Sequence, residues 1–142
     1  MPVAGAVSRT TSCQDADVQA DTMVTVNLAG NERDVLRLGL GEWGGPASPT
    51  DALAVAMGFR DLSDFDAERR RLRRTLLDEQ PLSTQDWRRV LVATEIVFIS
   101  DVYGAGSDWS ITTGLTDEET IVILRRCQAK IGRAIRQALG LD

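Results

Sequence analysis

The chain has 142 residues, is 43% hydrophobic and 26% charged, and carries a formal charge of −5, the profile of one soluble globular domain with a single core. It contains no histidine and two cysteines, which excludes Ser-His-Asp and Cys-His catalysis, histidine zinc sites, His-ligated haem and, with the cysteines far apart, a Cys-only metal cluster. The negative balance argues against a broadly basic nucleic-acid or membrane-surface protein, and no apolar stretch reaches the ~20 residues of a membrane span.

Residues 1–22 are small, polar and weakly acidic, with Arg9 as their one basic residue and no apolar signal-peptide core. They read as a disordered tail on a cytoplasmic protein whose folded domain covers residues 23–142. Met23, at the head of the first patterned segment, is a candidate natural start. Cys13 falls in the tail. Cys127 lies three residues after Leu124 and four before Ile131, on one helix face, and reads as a small buried hydrophobe.

Five helices follow from apolar spacing and end signals. Asn31, with Glu32 and Asp34 behind it, is expected to cap a helix carrying Leu36, Leu40 and Trp43, and "GGP" at 44–46 ends it. Ser48 opens a short second helix through Met57, with Gly58 as its stop. The third runs from about Leu62 to Glu79 on a stripe of Phe65, Leu72 and Leu76, with Pro81 beyond. A fourth begins near Ser83 or Thr84 and carries Trp87, Val90, Leu91, Val97 and Phe98. Residues 90–100, "VLVATEIVFIS", are β-branched and apolar nearly all round, so strand competes there with helix; the unbroken run from a capped start favours helix. Thr116 and Glu119 form a capping box for the fifth, whose Leu124, Ile131, Ile135 and Leu139 face one way. The fold class is therefore an all-α bundle. The alternative is α+β, with a small two-stranded pairing between alternating Val24, Val26 and Leu28 and the segment holding Trp109 and Ile111.

The loop "DVYGAGSDWSITTG", residues 101–114, invites comparison with a phosphate cradle. A dinucleotide fingerprint needs a third glycine where Trp109 stands, and a P-loop needs a Gly-Lys pair that is missing. Read as a calcium loop from Asp101, the ligand positions fall on Tyr103, Ala105, Ser107, Trp109 and Thr112, which lack carboxylates. The glycines read instead as a chain reversal, and no cofactor or metal is expected. The loop exceeds the usual 2–8 residues of a helix connection. Its Asp101, Tyr103, Asp108 and Trp109, together with Trp43, are the candidate partner-binding residues; Trp43 and Trp109 stand near element boundaries and read either as partly exposed interface anchors or as caps of the bundle core.

Among other charged positions, Glu95 lies between apolar Leu91, Val92, Phe98 and Ile99 and is expected to pair with an arginine of the third or fifth helix. Arg69, Arg70, Arg71, Arg73 and Arg74 form a run that reads as a solvated face, or alternatively as a face for an anionic partner. Just before it, Ala54, Gly58, Phe59, Asp61, Ser63 and Phe65 match a pattern that resembles the second helix-turn-helix of AraC-type regulators. That resemblance covers residues 52–65 and implies a recognition helix reading DNA. The sequence departs from it at Arg69, where a core aromatic is expected, and at Asp61, Asp64, Asp66 and Glu68, which face where phosphates would lie.

These features point to a non-catalytic helical module that binds another macromolecule, foremost a protein, in the manner of small acidic bacterial immunity proteins or adaptors. The alternative is a DNA-binding regulator using residues 52–74. An enzyme would need carboxylate chemistry around Glu95, Asp101 and Asp108.

Overall fold

The computed structural model describes residues 22–141. The expected tail lies outside them except for Thr22, as does Cys13. The described residues form an all-α bundle with one short strand pair: β1 Met23–Val24, α1 Gly30–Glu42, α2 Asp51–Ala56, α3 Leu62–Leu77, β2 Leu82–Ser83, α4 Thr84–Ile99, α5 Trp109–Thr113 and α6 Asp117–Ala138. Five of the six helices are those expected from the apolar spacing. The extra one, α5, is a single turn that continues a 3₁₀ turn over Gly106–Asp108.

α4 is the central element. Its ambiguous half, residues 90–99, is helical because Ser83 caps the start by accepting the Asp86 N–H at 3.1 Å and because α1, α3 and α6 cover it with apolar side chains. β-branching disfavours a helix by only tenths of a kcal/mol per residue, and burying a large apolar side chain returns about 1.5–3. α1 comes close to α4 at Gly39, where an added Cβ would stand 2.7 Å from Thr94 Oγ1.

The caps partly follow the sequence. Thr116 and Glu119 exchange both hydrogen bonds of the capping box, at 3.1 and 3.3 Å. Thr50, rather than Ser48, caps α2. α1 begins earlier than expected, from Ala29 rather than Asn31, and Glu32 folds back to accept the Ala29 N–H at 2.9 Å. α3 stops at Leu77, two residues before Glu79. The N–H groups of Glu79 and Gln80 return to the carbonyls of Leu76 and Thr75, the pattern of a Schellman turn. Its left-handed position, normally glycine, is filled by Glu79 at φ 55°, a choice costing about 1 kcal/mol.

The strand pair is real, but its partner differs from the expected one. Met23 pairs with Ser83 and Val24 with Leu82, antiparallel, whereas Trp109 and Ile111 are helical. Trp87 explains the choice: from the first turn of α4 its Nε1 donates to the Val24 carbonyl at 2.9 Å, fixing β1 beside the residues that precede α4.

Candidate functional site

The long loop after α4 is built as a helix cap. The Ala105 N–H donates to Val97 O at 2.7 Å, the Gly106 N–H to Ser100 O at 3.1 Å and the Ser100 N–H to Ile96 O at 2.9 Å. A Cβ on Gly104 would stand within 2.7–2.8 Å of the carbonyls of Ser100, Val97 and Ile96, so this glycine permits the loop to lie against the helix end. The N–H groups of Ala105 and Gly106 are spent on helix carbonyls and that of Tyr103 on Ser100 Oγ, the reverse of an anion cradle. Asp101 serves the same turn, its Oδ1 accepting the Ser107 N–H.

Trp43 and Trp109 are both buried, so of their two readings the core cap holds and the partly exposed anchor does not. Trp109 is fully buried, packs edge-on to Phe98 at 5.4 Å and donates Nε1 to Thr120 Oγ1 at 2.8 Å. Trp43 lies against Phe65 and donates Nε1 to the Ala93 carbonyl at 3.1 Å. An indole inside a core needs an acceptor for its N–H, and both have one. Of the candidate loop residues, Asp101, Tyr103 and Asp108 remain exposed.

A different surface emerges beside the loop. α4 and α6 leave a groove of about 230 Å³ between Glu95, Ile99, Ile121, Leu124, Arg125 and Gln128. Leu124 belongs to the core; Ile99 and Ile121 are 69% and 42% exposed. Val102 and Tyr103 on the loop and Val122 on α6 extend the run of exposed apolar side chains in sequence. The polar side is ordered: Arg125 Nη1 donates to Gln128 Oε1 at 2.9 Å, and Gln128 Nε2 donates to Glu95 Oε2 at 2.7 Å. Glu95 is therefore half-buried and held by an amide instead of the expected arginine. The Gln128 amide supplies one donor to the Glu95 carboxylate at the groove edge, and solvent supplies the rest.

The arginine run divides four ways. Arg69 is 8% exposed and lies at the edge of the core, with Nε 3.3 Å from Asp66 Oδ1 and its guanidinium against Gly44. Arg71 is gripped by Glu68 and by Asp86, the latter at 2.8 Å; burial lowers its proton affinity, but the two carboxylates outweigh that and raise it. Arg73 packs over Gly41 of α1. Arg70 and Arg74 are exposed and form no ion pair among the described residues. The solvated-face reading thus holds for Arg70 and Arg74 and fails for Arg69.

Within residues 52–65, Ala54, Phe59 and Phe65 are buried and Gly58 turns at φ 99° between α2 and α3. α3 opens with acidic groups: Asp61 caps it, and Asp64 accepts from the Arg60 N–H. Glu95 and Asp101 are engaged as described, and among the described residues no group of three or more carboxylates or cysteines is placed to hold a metal ion. None of the described helices is long and apolar enough to cross a membrane.

Sequence reasoning missed Ile99, Ile121 and Val122. A signal existed for Val122, which at about 100° per residue lies opposite the Leu124, Ile131 and Ile135 stripe. Ile121 is only about 60° from that stripe and reads as core by spacing alone. Comparisons with protein-family models, with curated proteins and with solved structures found no significant match.

Proposed function

We propose that the chain is a protein-binding module that receives an apolar, basic helical segment of a partner in the groove between α4 and α6. The observation that carries this is the meeting of Ile99 and Ile121, both exposed, in one groove over Leu124. Isolated surface aliphatics are ordinary, but two lining one concavity make an apolar seat for a partner's side chains. The charge preference comes from the surround: Glu95 and Arg125 both line the groove and offset each other, while Glu118 lies one helical turn before Ile121 on a chain of net charge −5. Such a role suits a cytoplasmic adaptor or immunity-like protein.

The DNA-binding alternative is weaker on two counts: the opening of α3 is acidic and Arg69 is buried.

A photo-crosslinking side chain placed at Ile121, in cells that make the protein naturally, tests the reading. The expected adduct is a partner segment with aliphatic and Lys or Arg residues at helical spacing. Ile99→Asp should abolish it, and Ile111→Asp, exposed but outside the groove, should not. Crosslinking to a second copy of the chain, to an acidic segment, or equal loss in both variants would overturn it.

A further inference from the structure

A second surface, on the opposite side of the charge balance, stands independently of the groove. The last turns of α3 border a depression of about 500 Å³ between Arg70, Arg71, Arg74, Thr75, Asp78 and Gln80. Three guanidinium groups on one surface of an acidic protein repel one another and carry no evident folding benefit where they are unpaired. Arg70 and Arg74, the two without an ion pair, are one helical turn apart, about 6 Å between Cβ atoms. Arg71 lies between them in sequence, oriented from behind by Glu68 and Asp86. Such orientation leaves a planar donor group already ordered before a ligand arrives, which lowers the entropy lost on binding.

We propose that this depression binds a single phosphoryl group, with Arg70 and Arg74 as its direct charge-assisted donors and Arg71 as a pre-oriented third cation. Arginine forks match the oxygen geometry of phosphate, and a phosphate monoester brings a charge of about −1.5 to −2 at neutral pH. A single group fits better than an extended polyanion. Asp78 is itself one of the lining residues, and Glu68 precedes Arg70 by two positions on α3, so the cationic surface is only as wide as the Arg70–Arg74 turn and a nucleic-acid backbone running across it would meet carboxylates. The phosphoryl group has two possible sources, a small phosphorylated molecule or a phosphorylated side chain of a partner protein, and the recognition chemistry is common to both.

The test follows the arginine Nε–H resonances of the folded chain in three titrations at matched ionic strength. The probes are inorganic phosphate, a phosphoserine peptide beside its unphosphorylated form, and a short single-stranded DNA. Movement of the Arg70, Arg71 and Arg74 signals with phosphate and with the phosphopeptide, but not with chloride or the unmodified peptide, is the expected result. Arg70→Ala and Arg74→Ala, both at exposed positions that leave the core intact, should each weaken binding about tenfold, the value of one hydrogen bond between charged groups. A phosphopeptide that binds more tightly than free phosphate identifies a protein source, and equal affinity identifies a small molecule; both sustain the site. No movement, an equal response to chloride, or a DNA interaction stronger than either phosphate probe would overturn it.

Discussion

Lys130 Nζ lies 2.8 Å from Glu32 Oε2, a contact that closes the first turn of α1 onto α6 across 98 residues of sequence. Burial by itself would raise the Glu32 carboxyl, but the Lys130 ammonium and the Ala29 N–H stabilise its charged form and hold it below the ordinary carboxylate value. A carboxyl whose folded pKa is depressed contributes stability above its unfolded pKa of about 4.5 and loses it as pH falls through the lower folded value. Glu32→Ala is expected to cost about 1–2 kcal/mol, chiefly by leaving the Ala29 N–H without its acceptor, since the Lys130 side chain is 40% exposed and can turn to solvent. Glu32→Gln, which keeps an acceptor for Ala29, should cost less. Urea melts between neutral pH and pH 3 check both: the wild type should lose its advantage over Glu32→Gln in the acid range.

Gly39 offers an inverted test of helix propensity. Replacing a mid-helix glycine by alanine ordinarily stabilises by about 1 kcal/mol. Here the new methyl would press on Thr94 at 2.7 Å, and Thr94 is fixed by donating Oγ1 to Val90 O at 2.9 Å. Gly39→Ala is therefore expected to destabilise by about 1–3 kcal/mol. Combining it with Thr94→Ala should recover most of the loss, measured as a thermal double-mutant cycle.

Gly104→Ala should likewise destabilise, by about 2 kcal/mol or more, because the crowding atoms are three backbone carbonyls that cannot turn aside. Hydrogen exchange would localise the damage. Protection should fall at Ala105 and Gly106, whose N–H groups close the end of α4, while α1 and α3 keep theirs.

The Cys127 thiol is fully buried and pushed up to about 12, burial being the main cause and the nearby Glu32 charge the second. In a Cys13→Ser background, native protein at pH 8 should react with a disulfide reagent at least a hundredfold more slowly than the urea-unfolded chain, whose free thiol has a pKa of about 8.5. Equal rates would show that α6 opens readily from α1.

Where a single helical stripe governs burial, the bundle was legible before its structure. Leu36 and Leu40, Phe65, Leu72 and Leu76, and Ile131 are all fully buried, and four of the helix ends follow their capping residues. What escaped were choices made between distant segments. No local pattern reveals that β1 prefers the residues before α4, because that preference resides in the Trp87 indole and the Val24 carbonyl, 63 positions apart. Near an element boundary the sequence leaves open whether Trp43 and Trp109 cap the core or stand as anchors, because the acceptors that let their rings go inside, Ala93 and Thr120, lie on other helices. Ile99 was taken with the apolar neighbours that surround Glu95, and only the packing of α6 alongside α4 separates the exposed wall from the core. The arginine run showed its charge and hid its arrangement, since Asp86, which orders Arg71, enters from the following helix.

The three tryptophans also give the protein three built-in optical reporters at separate seams. Each indole N–H ends on a different element: Trp87 on β1, Trp43 on the middle of α4, and Trp109 on the start of α6. Emission from a variant retaining a single tryptophan would record the release of one seam alone, so the order in which the strand, the α1 layer and the final helix detach becomes a sequence of three separate signals.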